Sequence, residues 1–151
     1  MKILHVISSL APRYGGPPKA CWEMARAVAR LGHEVSIYTT NQDGPGELAV
    51  PLDQPVWREG VEIRYFPIQP PRFWATSLPL ALALRRKIPA SDLVHVHSLY
   101  FFHSLVVGHY CRQNGIPYLV RPHGTLDPFI YRHHRWRKRL VELLFENRNI
   151  R

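Results

Sequence analysis

The chain has 151 residues, 46% hydrophobic and 21% charged. That is the make-up of one globular domain able to bury a core, not of a disordered or fibrous chain. Lys and Arg number 20 against 11 Asp and Glu, a formal charge of +9, which favours an anionic partner: nucleic acid, a phospholipid surface or a phosphorylated small molecule.

No run approaches the roughly 18 consecutive apolar residues of a membrane-spanning helix. Pro12-Arg13-Tyr14 stands where a signal peptide would need its small-residue cleavage site. Cys21 and Cys111 make no metal-type spacing, as expected of free thiols in a reducing cytosol.

In chain order, Ile3-Leu4-His5-Val6-Ile7 has the continuous apolar character of a strand buried on both faces. A breaker-rich loop follows, ending in Gly15-Gly16-Pro17-Pro18, and proline suits the first turn of a helix. Trp22, Ala25, Val28, Ala29 and Leu31 keep helical spacing before Gly32 caps that helix. Glu34 to Thr40 alternates and is β-branched, which predicts a second strand. Residues 41–60 are expected to form a long loop of variable conformation, and Val61 to Phe66 a third strand. Helical leucines run from Phe73 to Ile88, with a break expected near Pro79. Asp92 to His97 predicts a fourth strand, Leu99 to Asn114 a buried helix capped by Gly115, and Pro117 to Val120 a fifth strand. A last helix is expected from Pro128 to the end.

This alternation predicts an α/β fold, a Rossmann-like doubly wound parallel sheet with helices on both faces. Ligands of such sheets bind at the carboxyl ends of the strands, where strand order reverses. In the common strand order the loops after strands one, four and five converge there. They contain Gly15 and Gly16; His97 and Ser98; and Arg121-Pro122-His123-Gly124-Thr125-Leu126-Asp127-Pro128.

Each loop suggests chemistry. The glycine pair before a helix offers bare N–H groups and a helix dipole to an anionic oxygen, or else marks a tight turn. No G-x-G-x-x-G, P-loop lysine pattern or G-x-S-x-G elbow occurs. His95 and His97 share one strand face, a spacing also used by metal sites. Without a third ligand or a D-x-D pair, no metal site is expected. His97, at the strand end, is the better placed of the two to reach the crevice. His123, between Pro122 and Gly124, can hydrogen-bond a sugar hydroxyl or polarise a reacting group. Asp127 is a poor orienting carboxylate, so positioning of substrate is favoured over proton abstraction. Arg132, Arg135, Arg137, Lys138 and Arg139 around Trp136 suit an anionic membrane surface, nucleic-acid phosphates, or a solvated helix docked by its apolar half.

Taken in order, Met1-Lys2-Ile3-Leu4-His5-Val6-Ile7, Gly15-Gly16-Pro17-Pro18, Leu31-Gly32-His33-Glu34-Val35, Asp92-Leu93-Val94-His95-Val96-His97, the Arg121–Pro128 octapeptide and Trp136-Arg137-Lys138-Arg139 resemble the N-terminal domain of a family 4 (group 1) glycosyltransferase. The resemblance covers essentially the whole chain. It implies the N-terminal, acceptor-side half of a GT-B fold. The partners are then a nucleotide-sugar donor as co-substrate and a glycan or lipid-linked acceptor, with no cofactor, no metal and retention of anomeric configuration. By the same analogy the Gly15-Gly16 backbone approaches the donor diphosphate, and His123 is similar to the histidine at the reaction centre. His97, Arg121 and Gly124 complete the expected substrate-binding set.

The resemblance further implies a C-terminal donor-binding domain with an E-x7-E motif, which the 151 residues do not contain. The chain alone is therefore expected to lack transferase activity. Expected location is cytoplasmic, peripheral on the inner face of the membrane. A non-enzymatic nucleotide- or nucleic-acid-binding module is the rival reading, although the aromatics are not interleaved with the basic run as nucleic-acid binding would favour. A third is a fragment without function, with a sheet edge and an interdomain face exposed.

Overall fold

The computed structural model describes residues 1–123. Its elements are β1 (Lys2–Ser9), α1 (Gly16–Arg30), β2 (Glu34–Thr40), β3 (Gln42–Asp43), β4 (Gly46–Glu47), β5 (Pro55–Arg58), β6 (Val61–Phe66), α2 (Leu78–Lys87), β7 (Leu93–His97), α3 (Phe102–Asn114) and β8 (Tyr118–Arg121). The main sheet runs in the order β5-β6-β2-β1-β7-β8. Every pairing in it is parallel except that of β5 with β6.

Burial on both faces explains the apolar strands. Leu4 and Val6 of β1 join Val94 and Val96 of β7 in a core with Leu80, Leu84, Val107 and Cys111 from α2 and α3. Ile7 points the other way, toward Cys21 and Ala25 of α1, with Val35, Ile37, Val61 and Ile63. Helices thus cover both faces, and the fold is α/β and Rossmann-like as the alternation predicts.

Two helix starts differ by several residues, each for a local reason. The leucine-rich helix begins at Leu78 and not at Phe73, because Ser77 caps it by accepting from the Leu80 N–H, and Pro79 fits its first turn. Residues Arg72–Trp74 form a short 3-10 turn instead. Helix α3 begins at Phe102 and not at Leu99, since Ser98 (φ 69°) and Tyr100 (φ 66°) are left-handed.

Residues 41–60 are not an irregular loop. Strand β5 pairs antiparallel with β6 at the sheet edge, with Pro55 at its first position, where a missing N–H is tolerated. The β3–β4 hairpin is pinned by Arg72, whose guanidinium donates to Gly44 O, Gly46 O and Glu47. Arg13 adds an ion pair to Asp43, and the Gly44 N–H donates to the Tyr14 hydroxyl. The helix expected after Pro128, with its basic run, lies outside the described residues.

Candidate functional site

From β1 the chain steps to β2 and β6 on one side, and through β7 to β8 on the other. Strand order therefore reverses between β1 and β7, and a crevice opens beyond their carboxyl ends. A cleft of about 340 Å³ occupies it, lined by Ser8 and Ser9 at the end of β1, Tyr14, Pro17 and Pro18 before and within α1, Ser98 and Phe101 after β7, and His123 after β8. Gln42, Arg72 and Phe73 close the far side. Ser9 fixes that wall: its hydroxyl donates to Gln42 O at 2.6 Å and accepts from the Ala11 N–H at 3.0 Å.

The mouth of this cleft is conformationally strained. Ser98, Tyr100 and His123 (φ 50°) all hold left-handed backbone without being glycine. Each such residue costs of order 1–3 kcal/mol, and such strain concentrates at functional sites. The Ser98 N–H donates to Arg121 O at 2.8 Å, tying the loop after β7 to the end of β8.

Behind His123 stands a ladder of imidazoles. The register puts His5 of β1 beside His95 of β7, and His97 two residues further along the same face. The His97 ring stacks on His95 with centroids 4.3 Å apart. Its Nε2 meets His5 Nδ1 at 3.0 Å, and its Nδ1 meets His123 Nε2 at 2.9 Å. His103 donates from Nε2 to the His97 carbonyl at 2.8 Å. Burial, with His95 adding to it, pushes His97 down to about 2 and His5 down to about 3. Burial and then the Arg121 charge lower both His95 and His123. Neutral rings at neutral pH therefore line the ladder. A neutral His123 is no electrostatic anchor for a diphosphate. It suits one directed hydrogen bond to an uncharged or phosphoryl oxygen.

The expected site residues are only partly brought together. His123 lines the crevice. His97 does not reach it; fully buried, it holds His123 from behind. Arg121 faces α1, donating to Met24 Sδ. Gly15 and Gly16 line a neighbouring cleft of about 450 Å³ with Lys19, Trp22, Arg58 and Tyr65, and Pro18 is shared between the two clefts. Gly124 lies outside the described residues.

The glycine pair also offers less backbone than its composition suggests. The Gly15 N–H is spent on Pro12 O, the Lys19 N–H on Gly15 O, and Pro17 and Pro18 have none. Gly16 carries the one first-turn N–H left for a ligand among the described residues. The two glycines should therefore respond differently to a methyl group. Gly15 (φ 69°) sits where an L side chain is strained, whereas a Cβ on Gly16 meets nothing within 4 Å. Gly15→Ala is expected to cost roughly 1–3 kcal/mol in a urea melt, and Gly16→Ala to stay within about 0.5 kcal/mol. Equal losses would contradict this assignment.

His5 escaped the sequence reading, although its signal was there: the same-face parity of His5, His95 and His97 on strands predicted to be neighbours. Cys21 joins it, since ligand-capable atoms of His5, Cys21 and His97 lie within 4.8 Å of one another. His5 Nδ1 and His97 Nε2 are already spent on each other, and burial pushes the Cys21 thiol up. A hydrogen-bonded core accounts for the group. Both cysteines are free and buried, and no helix among the described residues is long and apolar enough to cross a membrane.

Comparison with known proteins agrees with this fold. Across 112 residues the chain is 28% identical to a GDP-mannose:cellobiosyl-diphosphopolyprenol alpha-mannosyltransferase of Komagataeibacter xylinus, covering 68% of this chain and 25% of the relative. The chain thus spans about a quarter of the length of that relative. The sequence profile of Glycosyltransferase Family 4 matches residues 14–150, from the glycine-rich loop through the crevice histidine and beyond. By that match the chain belongs to Glycosyltransferase Family 4.

Proposed function

We propose that this domain forms the acceptor-side wall of a glycosyl-transfer site, with His123 hydrogen-bonding the sugar or phosphoryl oxygens that meet in the crevice. The observation that supports it best is the position of His123. It stands at the switch point, its backbone left-handed and its ring held by a buried partner, opposite the loop that leads into α1. A group so constrained from behind is oriented for one ligand atom in front.

In this reading the donor is a nucleotide sugar, held mainly by a second domain, and Gly16 N–H meets its diphosphate. The acceptor is a lipid-diphosphate-linked saccharide, the class named for the mannosyltransferase relative. The positive balance of the chain favours such a substrate, and Arg132 to Arg139 would bring the enzyme to an anionic membrane face. Transfer proceeds with retention and without a divalent ion. His97 and Arg121 take supporting parts: His97 holds His123, and Arg121 adds positive charge beside it; Gly124 is kept as a substrate-contact candidate.

The test is sugar transfer from a radiolabelled nucleotide sugar to a lipid-diphosphate saccharide, by the chain alone and joined to its donor-binding domain. The chain alone should show no turnover, and the joined protein should keep its rate in EDTA. Turnover by the chain alone, or abolition by EDTA with recovery on adding a divalent ion, would overturn the corresponding part of the proposal.

A further inference from the structure

His5, His95 and His97 share one face of the sheet, with His123 stacked on His97 just past its edge, and the buried His5 and His97 line neither of the two clefts described above. Their hydrogen bonds have a direction that the geometry can decide. A neutral imidazole carries one N–H and one lone pair, so a chain of three linked rings has two proton arrangements. In one, His123 donates to His97, His97 donates to His5, and the His5 Nε2 proton points into the core. In the other, His5 Nδ1–H donates to His97 and His97 Nδ1–H donates to His123, leaving His5 Nε2 as a bare lone pair.

His5 Nε2 is buried and has no partner among the described residues. An orphaned N–H is the costlier of the two to bury, and truly unpaired donors are rare in folded proteins. His103 shows how this molecule resolves the same choice. Its Nε2 faces a carbonyl, which only accepts, so the proton is on Nε2 and the buried Nδ1 is left as an unpaired acceptor. Applied to His5, the same preference runs every proton in the ladder toward the crevice.

We infer that His97, anchored by His5, sets the tautomer of His123, so that the crevice faces an N–H donor at His123 Nδ1 and not a lone pair. His97 is then a positioning residue, not a catalytic one. The ligand atom it selects is an acceptor: a sugar hydroxyl oxygen or a phosphoryl oxygen. A group that must itself give up a proton is not served by this arrangement. The inference rests on reading His123 as the ligand-contacting residue. It can fail separately, because tautomer and binding are read in different experiments.

The test is a long-range proton–nitrogen correlation spectrum of the 151-residue chain labelled with ¹⁵N-histidine, at a pH where the rings are neutral. His5, His97 and His123 should all show the Nδ1–H form, the opposite of the form free imidazole side chains prefer. In His97→Asn, whose amide keeps a donor near the Nδ1 position, His123 should remain Nδ1–H. In His97→Leu that form should be lost to Nε2–H. An Nε2–H resonance for His123 in the unsubstituted chain overturns the inference, as does an unchanged His123 tautomer in His97→Leu. Should the leucine variant not fold, the unsubstituted spectrum decides alone, since the ladder demands the same tautomer in all three rings. Absence of nucleotide-sugar binding would count against the proposed function and leave the tautomer result standing.

Discussion

Lowering the pH from 7 to 5 is expected to remove a large part of the folding stability of this domain. His5, His97 and His103 are pushed by burial to about 3, about 2 and about 4, while an unfolded histidine titrates near 6.5. Below about 6.5 the unfolded chain therefore binds three protons that the folded chain refuses. Stability is complete above that pH and falls as the pH drops toward the folded values. Each refused proton costs about 1.4 kcal/mol per pH unit. Three of them over 1.5 units cost on the order of 6 kcal/mol, comparable with the ~5–15 kcal/mol total of an ordinary domain. His95, lowered for the same reason, adds to the effect.

Urea melts followed by tryptophan fluorescence at intervals between pH 7 and pH 5 should show stability falling ever more steeply, toward a slope of about three protons. In His103→Leu that slope should shrink by one proton, whatever the substitution does to stability at pH 7. Stability that is flat between pH 7 and pH 5 would show that these rings titrate normally.

Periodicity and punctuation carried most of the fold. Apolar runs located β1, β7 and β8, alternation located β2 and β6, and Gly32 and Gly115 ended helices as expected, each in left-handed backbone. Strand β5 escaped because Pro55 and the exposed Trp57 do not read as a buried strand. It pairs with β6 at the edge of the sheet, and edge pairing is a tertiary event that leaves little mark on local sequence. The hairpin of β3 and β4 was hidden for a similar reason. It is held by Arg13, Tyr14 and Arg72, about 30 residues away in either direction.

The crevice was legible as a place but not as a set of contacts. Three loops were expected to meet and do, because the topology fixes the switch point. That the two prolines strip α1 of its first-turn donors follows from sequence once the helix start is known. That His97 turns inward to His123, while Arg121 turns to Met24, depends on side-chain geometry at the ends of two strands. No spacing rule reports that.

The second large effect belongs to His123. If its ring supplies the directed hydrogen bond at the transfer centre, deleting it removes one preorganised donor from the crevice. Such a loss typically lowers the rate by about 10²–10³-fold, or roughly 2.7–4 kcal/mol of transition-state stabilisation. The fold should tolerate the change better than the chemistry does, because His123 stands at the open lip, where water can replace its bond to His97. His123→Asn is the informative companion. Asparagine accepts left-handed backbone and carries an amide donor, so partial recovery over His123→Ala is expected.

The most direct measurement is therefore kcat/KM for sugar transfer by His123→Ala, made in a protein that joins this chain to a donor-binding domain of the same family and read beside a melting curve. This account predicts a fall of about 100-fold or more with the melting transition still cooperative. Transfer at the unsubstituted rate would contradict it, and would move the reaction centre away from the crevice between β1 and β7.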